Sequence, residues 1–247
     1  MHVEQYLDAT YLKTAEQAGI SKKDNVEIVR KNIEEAIQYG FKLIMLRPDF
    51  VALAKEMIVA SNSRVTIGTV IDFPKGDKST EFKITEAKKV IKDGADDLDF
   101  VIDYEAFKRG EIDLVKEQVL VCTQLGLDNN KIVKWIIEVA ALTNHQIVQL
   151  CALIKNTVIA HFKESNYENV FVKSSTGFYV TKDGLPNGAT TASVKLMLEN
   201  AFPLPVKAAG GVRNYQEAIE MIRLGVKRIG TSAAKAIVDG KESKSDY

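Results

Sequence analysis

The sequence predicts an α/β protein, a (β/α)8 TIM barrel forming a single domain over residues 1–240. Three observations carry that reading. Short apolar, β-branched runs alternate with longer amphipathic stretches. The alternation recurs eight times within 247 residues, and no Pro-, Gly- or Ser-rich linker interrupts it. An open doubly wound sheet is the competing architecture, weakened because no GxGxxG follows the first strand. The final KESKSDY, residues 241–247, reads as a polar tail.

Strands are expected at 3–7, 41–46, 64–71, 96–102, 132–139, 169–174, 204–208 and 228–230. The helices between them follow from apolar spacing. In 25–38, Val26, Val29, Ile33, Ala36 and Ile37 share one face, and Gly40 is the expected stop. In 80–92, Ile84, Ala87, Val90 and Ile91 repeat the pattern before Gly94. Thr143 is a candidate N-cap for 143–162, which holds Ile147, Leu150, Cys151, Ile154 and Val158. A helix over 214–224 carries Ala218, Met221 and Ile222 and ends at Gly225. DGLPNG, 183–188, is a loop between units.

Composition narrows the function. Lys plus Arg equals Asp plus Glu at 33 each, so the formal charge is zero, which argues against a nucleic-acid partner. No apolar run approaches the ~18 residues of a membrane helix, and MHVEQYLDATYLK lacks the pattern of a secretory signal. Cys122 and Cys151 have no metal-ligand spacing and read as buried reduced thiols. His2, His145 and His161 are scattered. A cytoplasmic protein without a metal or organic cofactor is expected, and a homodimer is left open.

Two lysines sit where lysines are costly. NVFVKSSTGF places Lys173, and LPVKAAGG places Lys207, at the ends of apolar strands. Strand alternation turns Asp97, Asp99 and Val101 inward on the fourth strand, Lys134, Ile136 and Glu138 on the fifth, and Phe171, Lys173 and Ser175 on the sixth. Asp99, Glu138, Lys173 and Lys207 follow one another at intervals of 39, 35 and 34 residues, each about one strand–helix unit. They therefore gather at the C-terminal mouth, where barrel active sites are built. A ring of structural ion pairs is one reading. The other is imine chemistry, since two adjacent ammonium groups repel, the neutral form of one is favoured, and a neutral amine attacks carbonyls.

Phosphate binding is expected at the ends of the last three strands. SSTG (174–177), GGVR (210–213) and GTS (230–232) offer backbone N–H groups and hydroxyls at Gly177, Gly210, Gly211, Gly230 and Ser232, with Arg213 adding charge.

These motifs resemble, nearly end to end, those of the deoxyribose-phosphate aldolases, class I aldolases with a (β/α)8 fold. LDATYLK (7–13) is similar to the family's IDHTLLK, TVIDFPKG (69–76) to VIGFPLG, and GADDLDFVI (94–102) to GADEIDMVI. KWIIEV (134–139) is similar to KVIIET, FVKSSTGF (171–178) to FVKTSTGF, and VKAAGGVR (206–213) to VKASGGIR, while RIGTS (228–232) matches directly. The resemblance implies Lys173 as the Schiff-base lysine, with Lys207 and Asp99 as its catalytic partners. It implies substrate contacts from Asp8, Thr10, Glu138 and Thr176. The implied reaction is reversible cleavage of 2-deoxy-D-ribose 5-phosphate to acetaldehyde and D-glyceraldehyde 3-phosphate, read here as a break between C3 and C4. Met45, Ala9 and Ala233 depart from the family's usual Cys, His and second Ser. A Schiff-base barrel aldolase for another phosphorylated sugar, or a non-catalytic sugar-phosphate binder, stays open. Tyr247, the lone aromatic of the tail, is a candidate proton donor.

Overall fold

The computed structural model describes residues 2–182 and 184–240. Eight parallel strands close into a barrel in chain order: β1 Leu7–Tyr11, β2 Leu43–Leu46, β3 Thr66–Ile71, β4 Asp97–Val101, β5 Ile132–Ile136, β6 Val170–Lys173, β7 Val206–Ala209 and β8 Arg228–Thr231. Around them run α1 Ala15–Ala18, α2 Lys22–Tyr39, α3 Val51–Ala60, α4 Thr80–Asp93, α5 Tyr104–Lys108, α6 Ile112–Asp128, α7 Asn144–His161, α8 Thr191–Ala201, α9 Tyr215–Leu224 and α10 Ala234–Val238. No helix among the described residues is long and apolar enough to cross a membrane. Tyr247 and the rest of 241–247 lie outside the described residues, as does Asp183.

The main core lies between barrel and helices. Leu98, Phe100, Val133, Trp135, Val170 and Val172 point outward from their strands into it and are fully buried. Phe100 and Trp135 stack across β4 and β5, with ring centroids 5.2 Å apart, and the indole N–H donates to Thr123 Oγ1 at 3.0 Å. Cys122 and Cys151 are free and buried here, and burial pushes both thiols up to about 12. The helix ends follow the expected caps. Thr143 accepts from the Gln146 N–H in a capping box, and Gly40, Gly94 and Gly225 close α2, α4 and α9 in left-handed conformations.

Two strand assignments change. The first strand is not 3–7: Val3–Tyr6 forms a 3-10 turn and β1 begins at Leu7. Its inward residues, Asp8 and Thr10, are buried polar groups, so the apolar signal of a strand is present on one face only. The fifth strand stops at Ile136 rather than 139, because Glu138 adopts φ +56° and Val139–Ala141 turns.

The barrel interior is divided. Leu43 and Met45 of β2, Val70 of β3 and Leu12 form an apolar cluster joined by Phe73 and Phe178. Gly68 makes space there, since a Cβ would stand 2.5 Å from Met45 Cε. Ala9, by contrast, packs in the outer core. The loop after β3 is tied to β4 by Lys83, whose buried Nζ donates to Asp72 and, at 2.9 Å each, to the carbonyls of Gly76 and Val101. Gly76 has φ +70°, and a Cβ on it would lie 2.4 Å from the Ile102 carbonyl oxygen. Gly76→Ala should therefore lower unfolding stability by about 1–3 kcal/mol, read from the denaturant midpoint. An unchanged midpoint would show that the loop yields freely.

Candidate active site

Barrel register decides which charges meet. Asp99 on β4 pairs with Lys134 on β5, Ile136 on β5 with Lys173 on β6, Lys173 with Lys207 on β7, and Lys207 with Arg228 on β8. Asp8 on β1 pairs with Gly230. Side chains of one pleat face thus converge on the barrel axis.

Asp99 is the hub. Its Oδ2 accepts from Lys173 Nζ at 2.8 Å and from Lys207 Nζ at 2.9 Å, while its Oδ1 accepts from Lys134 Nζ at 2.8 Å. Lys207 Nζ also stands 2.6 Å from Asp8 Oδ2. Lys134 donates to Asp97 Oδ2 at 2.6 Å. Arg228 donates from Nε to Asp8 Oδ1 at 2.7 Å and reaches Asp97 Oδ2 at 3.4 Å. Gly230 leaves room for this packing: a Cβ there would be 3.1 Å from Lys207 Cε.

Four cations, Lys134, Lys173, Lys207 and Arg228, thus share three carboxylates, Asp8, Asp97 and Asp99. Lys173 is the least well held. It has one carboxylate oxygen, and Lys207 uses the same one. Burial lowers the Lys173 pKa to about 8; Asp99 opposes the shift and the charge of Lys207 adds to it. Repulsion between the lysines, the cause expected from the sequence, therefore acts second to desolvation among the lowering influences. Burial also works against the charge on Lys207, but Asp8 and Asp99 outweigh it and hold Lys207 above the ordinary lysine value. Asp99 is penalised by burial too, yet Lys134, Lys173 and Lys207 hold it well below the usual carboxylate range. The two lysines therefore differ in kind, one an amine that can be neutral and one a persistent cation.

Glu138 stands apart from this hub. Its carboxylate lies at the rim, where Oε1 accepts from Ser175 Oγ at 2.7 Å and Oε2 accepts from the Thr176 hydroxyl and, at 3.2 Å, the Thr176 N–H. Burial raises its pKa against these bonds. Glu138 and Thr176 thus shape the loop that follows Lys173. Thr10 donates to the carbonyl of Asp8 at 2.8 Å on the same strand.

Beyond the mouth lies a cavity of about 500 Å³ lined by the loops after β6, β7 and β8. Gly211, Arg213, Gly230 and Ser232, four of the residues proposed from the sequence for phosphate, line it, joined by Thr181, Asn187, Gly188 and Thr190 from the long loop before α8. Thr231 Oγ1 donates to the Val212 carbonyl at 2.7 Å and accepts from the Ala233 N–H, locking the β7 and β8 loops together. Two expected members do not line it. Gly210, at φ +76°, packs backbone to backbone against Gly188, where a Cβ would come within 2.9 Å of the Gly188 Cα. Gly177 instead lines a neighbouring cavity of about 460 Å³ with Lys13, Gln17, Phe178 and Tyr179. Arg228 and the joint role of Lys134 and Asp97 were missed from the sequence. The signal available was the i, i+2 alternation of Arg228 with Gly230 and Ser232.

A family model described as DeoC/LacD family aldolase matches residues 6–237. The chain belongs to this family. It is 38% identical over 241 residues to the deoxyribose-phosphate aldolase of Thermococcus gammatolerans, covering 97% of this chain and 96% of that one. It is 36% identical over 248 residues to that of Streptococcus suis, covering all of both. Among solved structures, the tetrameric deoxyribose phosphate aldolase of Aeropyrum pernix superposes with a TM-score of 0.74 at 27% identity, over 96% of this chain and 89% of the other.

An aldolase of this family with two inequivalent lysines should show selective amine chemistry. Reductive alkylation is expected to modify Lys173 ahead of Lys207, at a rate rising as pH climbs through about 8, because only the deprotonated amine reacts. Peptide mapping reads the site, and equal modification of both lysines would contradict the asymmetry.

Proposed function

We propose that the chain is a class I aldolase that reversibly cleaves 2-deoxy-D-ribose 5-phosphate to acetaldehyde and D-glyceraldehyde 3-phosphate through a Schiff base on Lys173. The observation that carries this reading is the Lys173 amine, buried at the C-terminal end of β6 and bonded to a carboxylate oxygen that a second, persistently charged lysine shares.

Neutral Lys173 adds to C1 of the open-chain aldehyde, and loss of water gives a protonated imine. Carbon counting corrects the bond read from the sequence. A two-carbon product contains C1 and C2, so C2–C3 breaks, not C3–C4. A base takes the C3 hydroxyl proton, the C2–C3 electron pair flows into the iminium to give an enamine, and C3–C5 leaves as D-glyceraldehyde 3-phosphate. Protonation at C2 and hydrolysis of the imine release acetaldehyde and restore the amine. Asp99, which accepts from both Lys173 and Lys207, forms the relay for these protons together with Lys207. No metal or organic cofactor enters this path.

The substrate spans the mouth. Asp8 and Thr10 border it from β1, and Glu138 and Thr176 shape its rim from the loops after β5 and β6. The phosphate is assigned to the cavity holding Gly211, Arg213, Gly230 and Ser232, with Gly210 and Gly177 supporting the loops beside it. Phosphorylated substrate and small aldehyde are its partners, in a cytoplasmic reaction. A homodimer is proposed as the smallest assembly, given that the Aeropyrum pernix relative is tetrameric.

Lys173→Ala should abolish both turnover and borohydride trapping of acetaldehyde while the circular dichroism spectrum stays native. Turnover near the unsubstituted rate would reject the nucleophile. Ser232→Asp should damage use of the phosphorylated substrate at least tenfold more than use of unphosphorylated deoxyribose, because a new carboxylate repels a dianion and not a neutral sugar. Equal losses in kcat/KM for both sugars would move the phosphate site elsewhere.

A further inference from the structure

The lower half of the barrel interior holds charges that reach neither the mouth nor the phosphate cavity. Arg228 is buried, with its guanidinium on Asp8 and Asp97. Lys134 is fully buried and bridges Asp97 to Asp99. Burying an ion pair is a poor way to gain stability, since desolvation offsets most of the attraction. Burying four cations on three carboxylates is poorer still. The apolar wall of Leu43, Met45 and Val70 shows that this interior can be filled without charge.

We propose that Arg228 is a positioning residue for the aldolase chemistry: its permanent charge beneath the lysines gives the buried cluster one cation more than it has carboxylates, and so keeps Lys173 the group that releases its proton. This rests on Lys173 as the nucleophile.

The bonding fixes which cation yields. An arginine stays protonated at any working pH. Lys134 holds two carboxylates, through Asp97 and Asp99. Lys207 also holds two, Asp8 and Asp99. Lys173 holds one, and shares its oxygen. With Arg228 occupying Asp8 and part of Asp97, the remaining carboxylate charge is divided among three lysines, and the one with the fewest contacts is left short. Without Arg228 the count is three against three, and Asp8 and Asp97 would draw Lys207 and Lys134 away from Asp99, leaving Asp99 to hold Lys173 charged.

Arg228 faces Asp8 of β1, Asp97 and Asp99 of β4 and Lys207 of β7. Lys173 faces Asp99, Lys134 and Lys207, with Glu138 beyond the end of β5. Glu138 is engaged by Ser175 and Thr176. The inward residues of β2 and of β3 above Thr66, namely Leu43, Met45, Gly68 and Val70, carry no charge.

The test is the pH dependence of trapping by acetaldehyde with cyanoborohydride, in which the imine on lysine is reduced by hydride to an N-ethyl group. In Arg228→Gln the midpoint should move to higher pH by roughly 0.5–1 unit. In Asp97→Asn, which raises the excess of cations, it should move lower. Arg228→Lys, which keeps the charge, should restore the midpoint. A residue with only a structural role would lower the amplitude at every pH and leave the midpoint in place. Coincident midpoints in the unsubstituted protein, Arg228→Gln and Asp97→Asn overturn the inference. Should Arg228→Gln not fold, Asp97→Asn decides alone, a downward shift supporting the inference and no shift overturning it. Peptide mapping separates the two proposals. An adduct on Lys173 with unmoved midpoints defeats only the role of Arg228, while an adduct mapping elsewhere defeats the nucleophile and this inference together.

Discussion

Everything in the mouth depends on one carboxylate. Asp99 is fully buried and accepts from three lysines on three neighbouring strands. Taken alone, each buried ammonium would be too costly to keep. Asp99 offsets part of that cost for all three, and the closed register of parallel strands brings them together. Rigid strands hold such a constellation better than loops do. The loops are left to manage the outer cavity, where Thr231 and the Gly188–Gly210 contact hold them in place.

That division of labour explains the split interior. Charge is confined to β1 and β4–β8, while β2 and β3 present Leu43, Met45, Gly68 and Val70. The apolar side packs tightly enough that a glycine is needed to admit Met45. A dry wall on one side raises the strength of the electrostatic interactions on the other, because less water reaches them. Position 45 therefore acts through packing, and position 9, turned toward the helices, has no line to the chemistry.

The barrel was legible because its signals are redundant: β-branched runs, amphipathic helices and glycine stops all agree, as in α4, where Ile84, Ala87, Val90 and Ile91 share a face before Gly94. The first strand was misplaced where function overrode pattern, since Asp8 and Thr10 occupy the face that would otherwise show apolar residues. The meeting of Lys173, Lys207 and Asp99 was readable because a charge in an apolar strand is conspicuous. Arg228 was not, because it opens its strand, where an arginine reads as a solvated end. Glu138 was placed inward by alternation, and the left-handed turn at that residue sent its carboxylate to Ser175 and Thr176 instead. No periodicity encodes such a turn at a non-glycine residue.

The shared oxygen of Asp99 has a consequence for the intermediate as well as for the free amine. On the proposed path, a lysine that yields its proton because it is buried, with neighbouring cations adding to the effect, becomes, once joined to an aldehyde, a cationic iminium in that same surrounding. The environment that disfavours the ammonium also disfavours the iminium relative to the neutral enamine. Bond cleavage, which moves an electron pair onto that nitrogen, would thereby be assisted by the same surroundings that favour the neutral amine. On this path, charge built into the strands before any substrate arrives eases loss of the lysine proton and, once the iminium has formed, the flow of electrons onto its nitrogen.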